Sequence, residues 1–257
     1  MRLGFIGIGN IATDVIMGFV KSRSKYDRIT LSPRNKTKSK YIKKKFKRIF
    51  IAKNNQEVID NSDLIFLAIL PNVGLKILPR LKFKKKQIIV SFVSTLKYLD
   101  LKKMIKVNAK VVRAIPMPPI RLRQGPVVIF PPNQKVKKLF NKLGSTIEIK
   151  NENLSNSFWA ISGTMASFYE LLNVLSKWLT KNKINRFQSQ KYVSSLYTAL
   201  SNLALNNYKK SFENLVSDSQ TPQGLNWQVL KDLKGQNHFK NIDKSLNKLM
   251  LRLKKSK

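Results

Sequence analysis

Residues 2–12 read RLGFIGIGNIA and decide the fold, because an apolar strand there leads directly into a glycine turn and a helix. The pattern GxGxxA falls on Gly7, Gly9 and Ala12. In a dinucleotide site the first glycine permits the tight turn, the second lets the backbone approach a pyrophosphate, and the third small residue permits helix packing. The stretch therefore predicts a turn that binds a dinucleotide. The alternative is a strand, turn and helix that need small residues only for packing.

The first 150 residues alternate short β-rich runs with polar helical segments. This pattern predicts a mainly parallel sheet with helices on both faces. Several of the runs are apolar throughout, as strands buried on both faces are. Helices are predicted over 11–20 and 133–143. Strands are predicted over 2–6, 28–31, 49–52, 64–69, 87–92 and 111–115, with 126–130 and 146–149 as extensions of the sheet's edge.

The character of the chain changes after Lys150. Apolar residues recur every three or four positions over 154–179 and 189–212, which predicts helices. Residues 217–224, SDSQTPQG, form a turn-rich loop before a last pair of helices. We therefore expect two domains, an α/β domain over 1–150 and a helical domain over 151–257.

Composition excludes several classes of site. The chain has no cysteine and one histidine, His238, so disulfides, zinc ribbons, thiol nucleophiles and a three-histidine zinc site cannot be built. No metal is expected, and the chemistry of an enzyme with this composition belongs to a bound cofactor. Apolar stretches are far shorter than the roughly 18 residues of a membrane span, and no signal-peptide cleavage site follows the first strand. We expect a cytoplasmic protein with no membrane partner.

The chain carries 50 Lys and Arg against 13 Asp and Glu, a formal net charge of +37. Such a balance makes nucleic acid the first partner to consider. The lysines are scattered along the whole chain, however, and no finger, homeodomain or RNA-binding signature lies among them. A solvated basic surface is favoured over a specific nucleic-acid groove, with weak, salt-sensitive binding of polyanions expected in either case.

The end of the second strand indicates which dinucleotide is bound. An NAD site usually has Asp or Glu roughly 20 residues after the glycine turn. Residues 30–38 read TLSPRNKTK here, with Ser32, Arg34, Asn35 and Lys36 and no acid. A hydroxyl and two cations can hold a 2′-phosphate, so NADPH is predicted, with NADH as the alternative. The cations also fit a simpler reading, as two more surface charges of a very basic protein.

Four segments, in order along the chain, resemble the pyrroline-5-carboxylate reductase family. They are GFIGIGNIATDVIMGFV at 4–20, DLIFLAILP at 63–71, VVRAIPMPP at 111–119 and ISGTMASFYE at 161–170. The resemblance implies a Rossmann domain with a doubly wound sheet, followed by an all-α domain for dimerisation and the substrate pocket. It also implies a homodimer or higher homo-oligomer. The implied reaction is the NADPH-dependent reduction of 1-pyrroline-5-carboxylate, a cyclic imine, to proline in proline biosynthesis.

The resemblance places the cofactor along the carboxyl ends of the strands. Together with the glycine turn and the end of the second strand, it gives one set of candidate cofactor residues. These are Gly7, Gly9, Asn10, Ile11, Ser32, Arg34, Ala68, Pro71 and Pro116.

The candidate substrate residues all follow Lys150. The Thr164 hydroxyl is the candidate catalytic group near the imine, and Ser219, Thr221 and Gly224 are candidates for holding the substrate carboxylate. Each has a structural alternative. Thr164 can cap a helix, and Ser219 and Thr221 can form a turn.

The departures from the family pattern concern the substrate more than the fold. Leu70 stands where the family has lysine, and residues 117–119 read Met-Pro-Pro where it has Asn-Thr-Pro. Ala166 and Phe168 replace a proline and a tyrosine of the pocket helix, and 217–227 keeps little of the family's Gly/Thr-rich loop. Two alternatives therefore stay open: reduction of another imine or small oxo acid, and a non-catalytic protein that binds dinucleotides or polyanions.

Overall fold

The computed structural model describes residues 1–22 and 26–255, which form two units, 1–159 and 160–255. The division falls after the composition change at Lys150, because the side chains of Phe158 and Trp159 pack on the core of the first unit. Residues 256 and 257 of the expected helical domain lie outside the described residues.

The first unit is built on an eight-stranded sheet of order β3-β2-β1-β4-β5-β6-β7-β8. Neighbouring strands run parallel except β6 and β7, which are antiparallel. The expected edge strands β7 and β8 are confirmed. The strands are β1 Arg2–Ile6, β2 Arg28–Leu31, β3 Ile49–Ile51, β4 Leu64–Leu67, β5 Ile88–Ser91, β6 Lys110–Ile115, β7 Pro126–Phe130 and β8 Ser145–Glu148.

Six helices of the first unit connect these strands. Single 3-10 turns cover Leu78–Arg80, Pro118–Leu122 and Glu152–Leu154. The six helices are α1 Asn10–Lys21, α2 Lys36–Lys45, α3 Asn55–Asp60, α4 Pro71–Ile77, α5 Tyr98–Ile105 and α6 Gln134–Phe140.

Asparagine side chains fix where three of these helices begin. Asn35, Asn54 and Asn133 precede α2, α3 and α6, and each side chain accepts a hydrogen bond from the backbone N–H three residues on, at 3.1, 2.9 and 3.1 Å. Each bond satisfies one of the four N–H groups that a helix start leaves without an intrahelical partner.

The sheet is buried on both faces, as its uninterrupted apolar strands predict. On one face Phe5 and Phe66 stack at 4.4 Å between ring centroids. On the other face Ile65 and Leu67 pack with Leu101 of α5. Because both faces are covered, a ligand reaches this unit at the carboxyl ends of the strands rather than on the faces of the sheet.

The second unit is helical throughout its regular structure, which confirms the expected fold class. α7 Ser155–Ser162 begins in the first unit and continues into this one. α8 and α9 pack against each other. The remaining helices are α8 Met165–Lys181, α9 Arg186–Asn206, α10 Phe212–Asp218, α11 Leu225–Gly235 and α12 His238–Lys255. Across the described ranges, no helix has both the length and the apolar character needed to cross a membrane.

Candidate functional site

The glycine turn lies at the carboxyl end of β1, at the point where the strand order reverses between β1 and β4. Gly7 has φ +93°, and a Cβ there would lie 2.3 Å from the Ala68 carbonyl oxygen, so both backbone and space require glycine. A Cβ at Gly9 would meet nothing within 4 Å. Packing within this chain therefore does not account for Gly9, whereas close approach of a ligand to its backbone does.

The start of α1 leaves backbone donors free for an anion. Gly9 is the N-cap residue, no side chain caps the helix, and its first turn carries no acid. The positive end of the helix dipole adds to the attraction of these N–H groups for a phosphate. Ala12 is fully buried, which permits the close packing of α1 on the sheet that the sequence predicts. These features suit the pyrophosphate of a dinucleotide.

Ser32 and Asn35 tie the end of β2 to the glycine turn. The Ser32 hydroxyl accepts a hydrogen bond from the Gly7 N–H at 2.9 Å, and Ser32 is only 2% exposed. The Asn35 side-chain amide donates to the Ile8 carbonyl at 2.9 Å. The structure therefore gives the Ser32 hydroxyl a partner inside the fold and leaves Arg34 and Lys36 as the exposed groups at this turn.

Lys38 is a residue of this site that the sequence did not single out. Its ammonium donates to the Asn10 side-chain oxygen, which joins the first turn of α2 to the first residue of α1. Its position in the sequence could have identified it, because Lys38 lies four residues after Arg34 and in the first turn of α2, the helix that Asn35 caps. With Lys38, three cations lie within five residues of one another in the chain just after β2.

Asp14 lies one turn beyond Asn10 on α1. Burial raises the pKa of its carboxyl group above the ordinary value, and the positive charges of Arg121 and Lys38 partly oppose that rise. Desolvation penalises the charged form of an acid, so burial makes the ionised form of Asp14 less favourable even though these two cations stabilise it.

The ends of β4 and β6 complete the same edge of the sheet. The Ala68 N–H donates to the Ile6 carbonyl at 2.8 Å, and Pro71 is the first residue of α4. Leu70, where the family has lysine, is 73% exposed. Pro116 is buried just after β6. Since β1, β2, β4 and β6 are parallel, all the candidate cofactor residues gather at their shared carboxyl edge.

Residues 117–119, which read Met-Pro-Pro where the family has Asn-Thr-Pro, lead into a 3-10 turn that packs on α1. Pro118 and Pro119 open this turn, and their fixed φ angles suit its first positions. A Cβ on Gly18 of α1 would lie 2.6 Å from the Ile120 carbonyl oxygen, so this contact needs glycine. The altered segment therefore has a defined structural use in this chain.

Thr164 precedes α8 and turns its hydroxyl toward the backbone. Its Oγ1 donates to the Ile161 carbonyl at 2.7 Å. Thr164 is the N-cap residue of α8 by position, but its side chain makes no cap bond to that helix, so the structure does not show the expected capping role. The catalytic role of Thr164 stays a prediction.

Ser219, Thr221 and Gly224 lie together between α10 and α11. The Ser219 hydroxyl donates to the Val216 carbonyl at 3.0 Å, and the Gly224 N–H donates to the Thr221 carbonyl at 2.9 Å. A Cβ on Gly224 would lie 2.1 Å from Thr221 Oγ1, so any larger residue there would require the Thr221 side chain to move. Gly224 is also the N-cap of α11, where no side chain caps the helix. Ser219 thus ends α10, whereas Thr221 and Gly224 bound the turn that leads into α11.

A buried ion pair at the end of β6 also went unpredicted. Arg113 donates from Nη1 to Glu152 Oε1 and from Nη2 to the Ser94 carbonyl, the latter at 2.6 Å. Glu152 Oε1 also accepts from the Tyr98 N–H at 2.7 Å. The available signal was an arginine inside the apolar strand KVVRAI. In the part of the chain that is described, no group of three His, Cys, Asp or Glu side chains is placed to hold a metal ion.

Sequence comparisons connect the chain with known oxidoreductases. A family model described as NADP oxidoreductase coenzyme F420-dependent matches residues 2–95. Pyrroline-5-carboxylate reductase 3 of Danio rerio is 28% identical over 132 residues, which are 50% of this chain and 45% of that protein. The pyrroline-5-carboxylate reductase of Haemophilus influenzae is 20% identical over 263 residues, covering 97% of this chain and 95% of that protein. The chain thus spans less than half of the first relative's length and nearly all of the second's.

A solved structure shows the same fold over the whole chain. The pyrroline carboxylate reductase of Plasmodium falciparum, solved with NADP bound, has a TM-score of 0.83 and 20% identity, covering 100% of this chain and 98% of that one. The family model and these relatives are consistent with one another, and they confirm the resemblance on which the candidate residues rest.

Proposed function

We propose that the chain, which is similar to pyrroline-5-carboxylate reductases, reduces 1-pyrroline-5-carboxylate to proline with NADPH. The observation that carries the proposal is the open space beside Gly9, at the uncapped start of α1. A glycine that internal packing does not require, placed at a helix start to which the Lys38 ammonium is bonded through Asn10, suits the phosphates of a dinucleotide.

The choice of NADPH rests on the turn after β2. Arg34 and Lys36 are exposed there, and Lys38 is held toward the glycine turn by Asn10. No acid lies within 30–38 to accept hydrogen bonds from a free ribose 2′-hydroxyl. Cations at this position favour a 2′-phosphate over a hydroxyl, because a charge-assisted hydrogen bond is roughly twice as strong as a neutral one.

The protein's share of the reaction is binding and positioning. NADPH supplies the hydride that reduces the imine carbon, and the imine nitrogen takes up a proton. We assign the substrate carboxylate to the stretch between α10 and α11 that holds Ser219, Thr221 and Gly224, where the start of α11 leaves N–H groups uncapped. We assign the position nearest the imine to the Thr164 hydroxyl, which can pass a proton through water. The arrangement lowers the barrier chiefly by orientation.

We also propose that the second unit pairs with another copy of the chain. It leaves large apolar side chains uncovered, among them Trp178 at 63% exposed, Phe187 at 78% and Leu225 at 85%. Apolar area of this extent on a monomer indicates an interaction surface. A homodimer or a higher homo-oligomer covers it, as the resemblance implies. The expected cytoplasmic location stays a prediction.

A second candidate is the reduction of another imine or a small oxo acid. Leu70, 73% exposed, presents an apolar side chain at the edge where the family has lysine, and 117–119 is built into a proline turn. Both changes lie beside the candidate cofactor site, so they support a different substrate without altering the cofactor.

The test is NADPH oxidation by the purified protein with 1-pyrroline-5-carboxylate beside a panel of cyclic imines and small oxo acids. Turnover highest with 1-pyrroline-5-carboxylate supports the proposed reaction. Higher turnover with another compound favours the second candidate. An absence of turnover with every compound, across pH and salt, contradicts both.

A further inference from the structure

Arg113 and Glu152 clamp the segment between β5 and α5 at two points, one in its middle and one where α5 begins. Arg113 Nη2 donates to the Ser94 carbonyl at 2.6 Å, and Glu152 Oε1 accepts from the Tyr98 N–H at 2.7 Å. The two side chains are joined by their own ion pair and are 10% and 21% exposed. Both outer hydrogen bonds go to backbone groups, so the pair fixes the path of this segment.

The pair is costly in its surroundings. Arg113 lies on the sheet face that also buries Val111 and Ile115. In the part of the first unit that is described, its Nε atom has no hydrogen-bond partner. Removing a charge from water costs several kcal/mol, and apolar side chains of similar volume often replace such pairs without loss of stability. Stability alone therefore does not account for a guanidinium at this position.

The clamped segment lies at the edge where the cofactor is proposed to bind. β5 is parallel to β4 and follows it in the sheet, so the segment emerges at the same carboxyl edge as the glycine turn. A dinucleotide crosses such an edge from the first strand toward the later ones, with its phosphates at the glycine turn. Ser94 and Thr95 are exposed on this segment, between buried Val93 and Leu96.

We propose that Arg113 and Glu152 are positioning residues that set the exposed Ser94–Thr95 backbone against the nicotinamide half of the cofactor. The inference rests on the proposed function, because it requires a dinucleotide at this edge. The adenosine half lies beyond the glycine turn, near the cations after β2. Disrupting the Arg113–Glu152 pair is therefore expected to weaken binding of the nicotinamide half of the cofactor and not of the adenosine half.

The experiment compares two probes, NADPH and adenosine 2′,5′-bisphosphate, which has the adenosine half with its 2′-phosphate and lacks nicotinamide. Dissociation constants are measured for the unsubstituted protein, Glu152→Gln and Arg113→Lys. The control variant is Glu148→Gln, because Glu148 also pairs with a lysine, Lys137 at 2.6 Å, and accepts from a backbone N–H, that of Asn133 at 3.2 Å. Glu148 lies on β8 at the far edge of the sheet, away from the glycine turn.

Glu152→Gln is expected to raise the Kd of NADPH roughly tenfold, since the loss of a charged hydrogen bond costs about a factor of ten or more. The Kd of the bisphosphate is expected to stay within about twofold of its original value. Arg113→Lys gives the same split and replaces Glu152→Gln if the latter does not fold. Glu148→Gln leaves both constants unchanged.

Equal effects on the two probes in both clamp variants, or no effect in either, overturn the inference alone. Failure of the unsubstituted protein to bind either probe contradicts the proposed function first, and the inference with it. That outcome is recognised before any variant is measured.

Discussion

The Gly7 N–H donates to the Ser32 hydroxyl at 2.9 Å and so joins the glycine turn after β1 to the end of β2. Both residues lie at the carboxyl edge of the sheet, and Ser32 is buried. A residue that the sequence offers as a phosphate ligand therefore shapes the turn itself. The candidate cofactor site is therefore shaped in part by this bond.

Replacing Ser32 with alanine is expected to weaken both folding and cofactor binding. The change leaves the partly buried Gly7 N–H without its acceptor, and the loss is bounded by the cost of about 1–3 kcal/mol for a fully buried group. We expect a lower free energy of unfolding and a higher Kd for NADPH, measured by denaturant titration and fluorescence. Ser62→Ala is the control, because Ser62 is buried and donates to the Val58 carbonyl at 2.6 Å, away from the turn. An unchanged NADPH Kd in Ser32→Ala contradicts the assignment.

Replacing Gly9 with valine is expected to abolish NADPH binding while the chain still folds. A Cβ at Gly9 meets nothing within 4 Å, so the protein itself has room for the side chain, which then blocks the approach of the pyrophosphate. Gly235→Val is the matched control, because its Cβ also meets nothing within 4 Å. We expect Gly235→Val to bind NADPH normally. Tight NADPH binding by a folded Gly9→Val protein shows that the turn serves packing alone.

Neutralising the cations after β2 is expected to change which dinucleotide is preferred. Arg34→Gln, Lys36→Gln and Lys38→Gln together remove the groups assigned to the 2′-phosphate. We expect the Kd of NADPH to rise tenfold or more, by about the strength of one charged hydrogen bond, while that of NADH changes little. A triple change of Lys84, Lys85 and Lys86 to Gln alters the net charge equally and serves as control. Equal weakening of NADPH binding in both triple variants indicates general electrostatics instead.

The pair between Arg2 and Asp63 predicts a defined dependence of stability on pH. Hydrogen bonds from the Arg2 side chain and backbone, at 2.6 and 2.8 Å, hold the pKa of the Asp63 carboxyl below its usual value. A lowered pKa in the folded state stabilises the protein above the unfolded value of about 3.9, and that contribution is lost as the pH falls through the folded pKa. Both side chains are 46% exposed, so the effect is small.

Asp63→Asn is therefore expected to lower the melting temperature near pH 7 and to match the unsubstituted protein in strong acid. Arg2→Gln gives the same pH dependence, because it removes the other partner. A difference between Asp63→Asn and the unsubstituted protein that stays constant down to strong acid contradicts this assignment.

The strands were predictable from the sequence because their signal is local. The bounds of β1, β2 and β7 agree with the predicted 2–6, 28–31 and 126–130, since a residue typical of turns follows each short β-rich run: Gly7, Ser32 and Pro131. β4 ends at Leu67 rather than at 69, because residues 68–70 turn toward the proline that opens α4. Where apolar residues continue beyond the strand, the sequence does not show where the strand ends and the following turn begins.

The site was only partly predictable because its contacts join distant parts of the chain. The glycine spacing identified Gly7 and Gly9, but the bond that occupies Ser32 depends on the alignment of β1 with β2. Arg113 and Glu152 are likewise brought together by the packing of the chain after β8 onto the sheet. Such pairs have no spacing signature, so a sequence without its fold does not reveal them.

The central claim is tested most directly by measuring, in one reaction, the NADPH consumed and the proline formed from 1-pyrroline-5-carboxylate. The account predicts equal amounts of the two, with no conversion by a folded Gly9→Val protein. NADPH bound but neither consumed nor accompanied by proline, with the unsubstituted protein at saturating substrate, would contradict it.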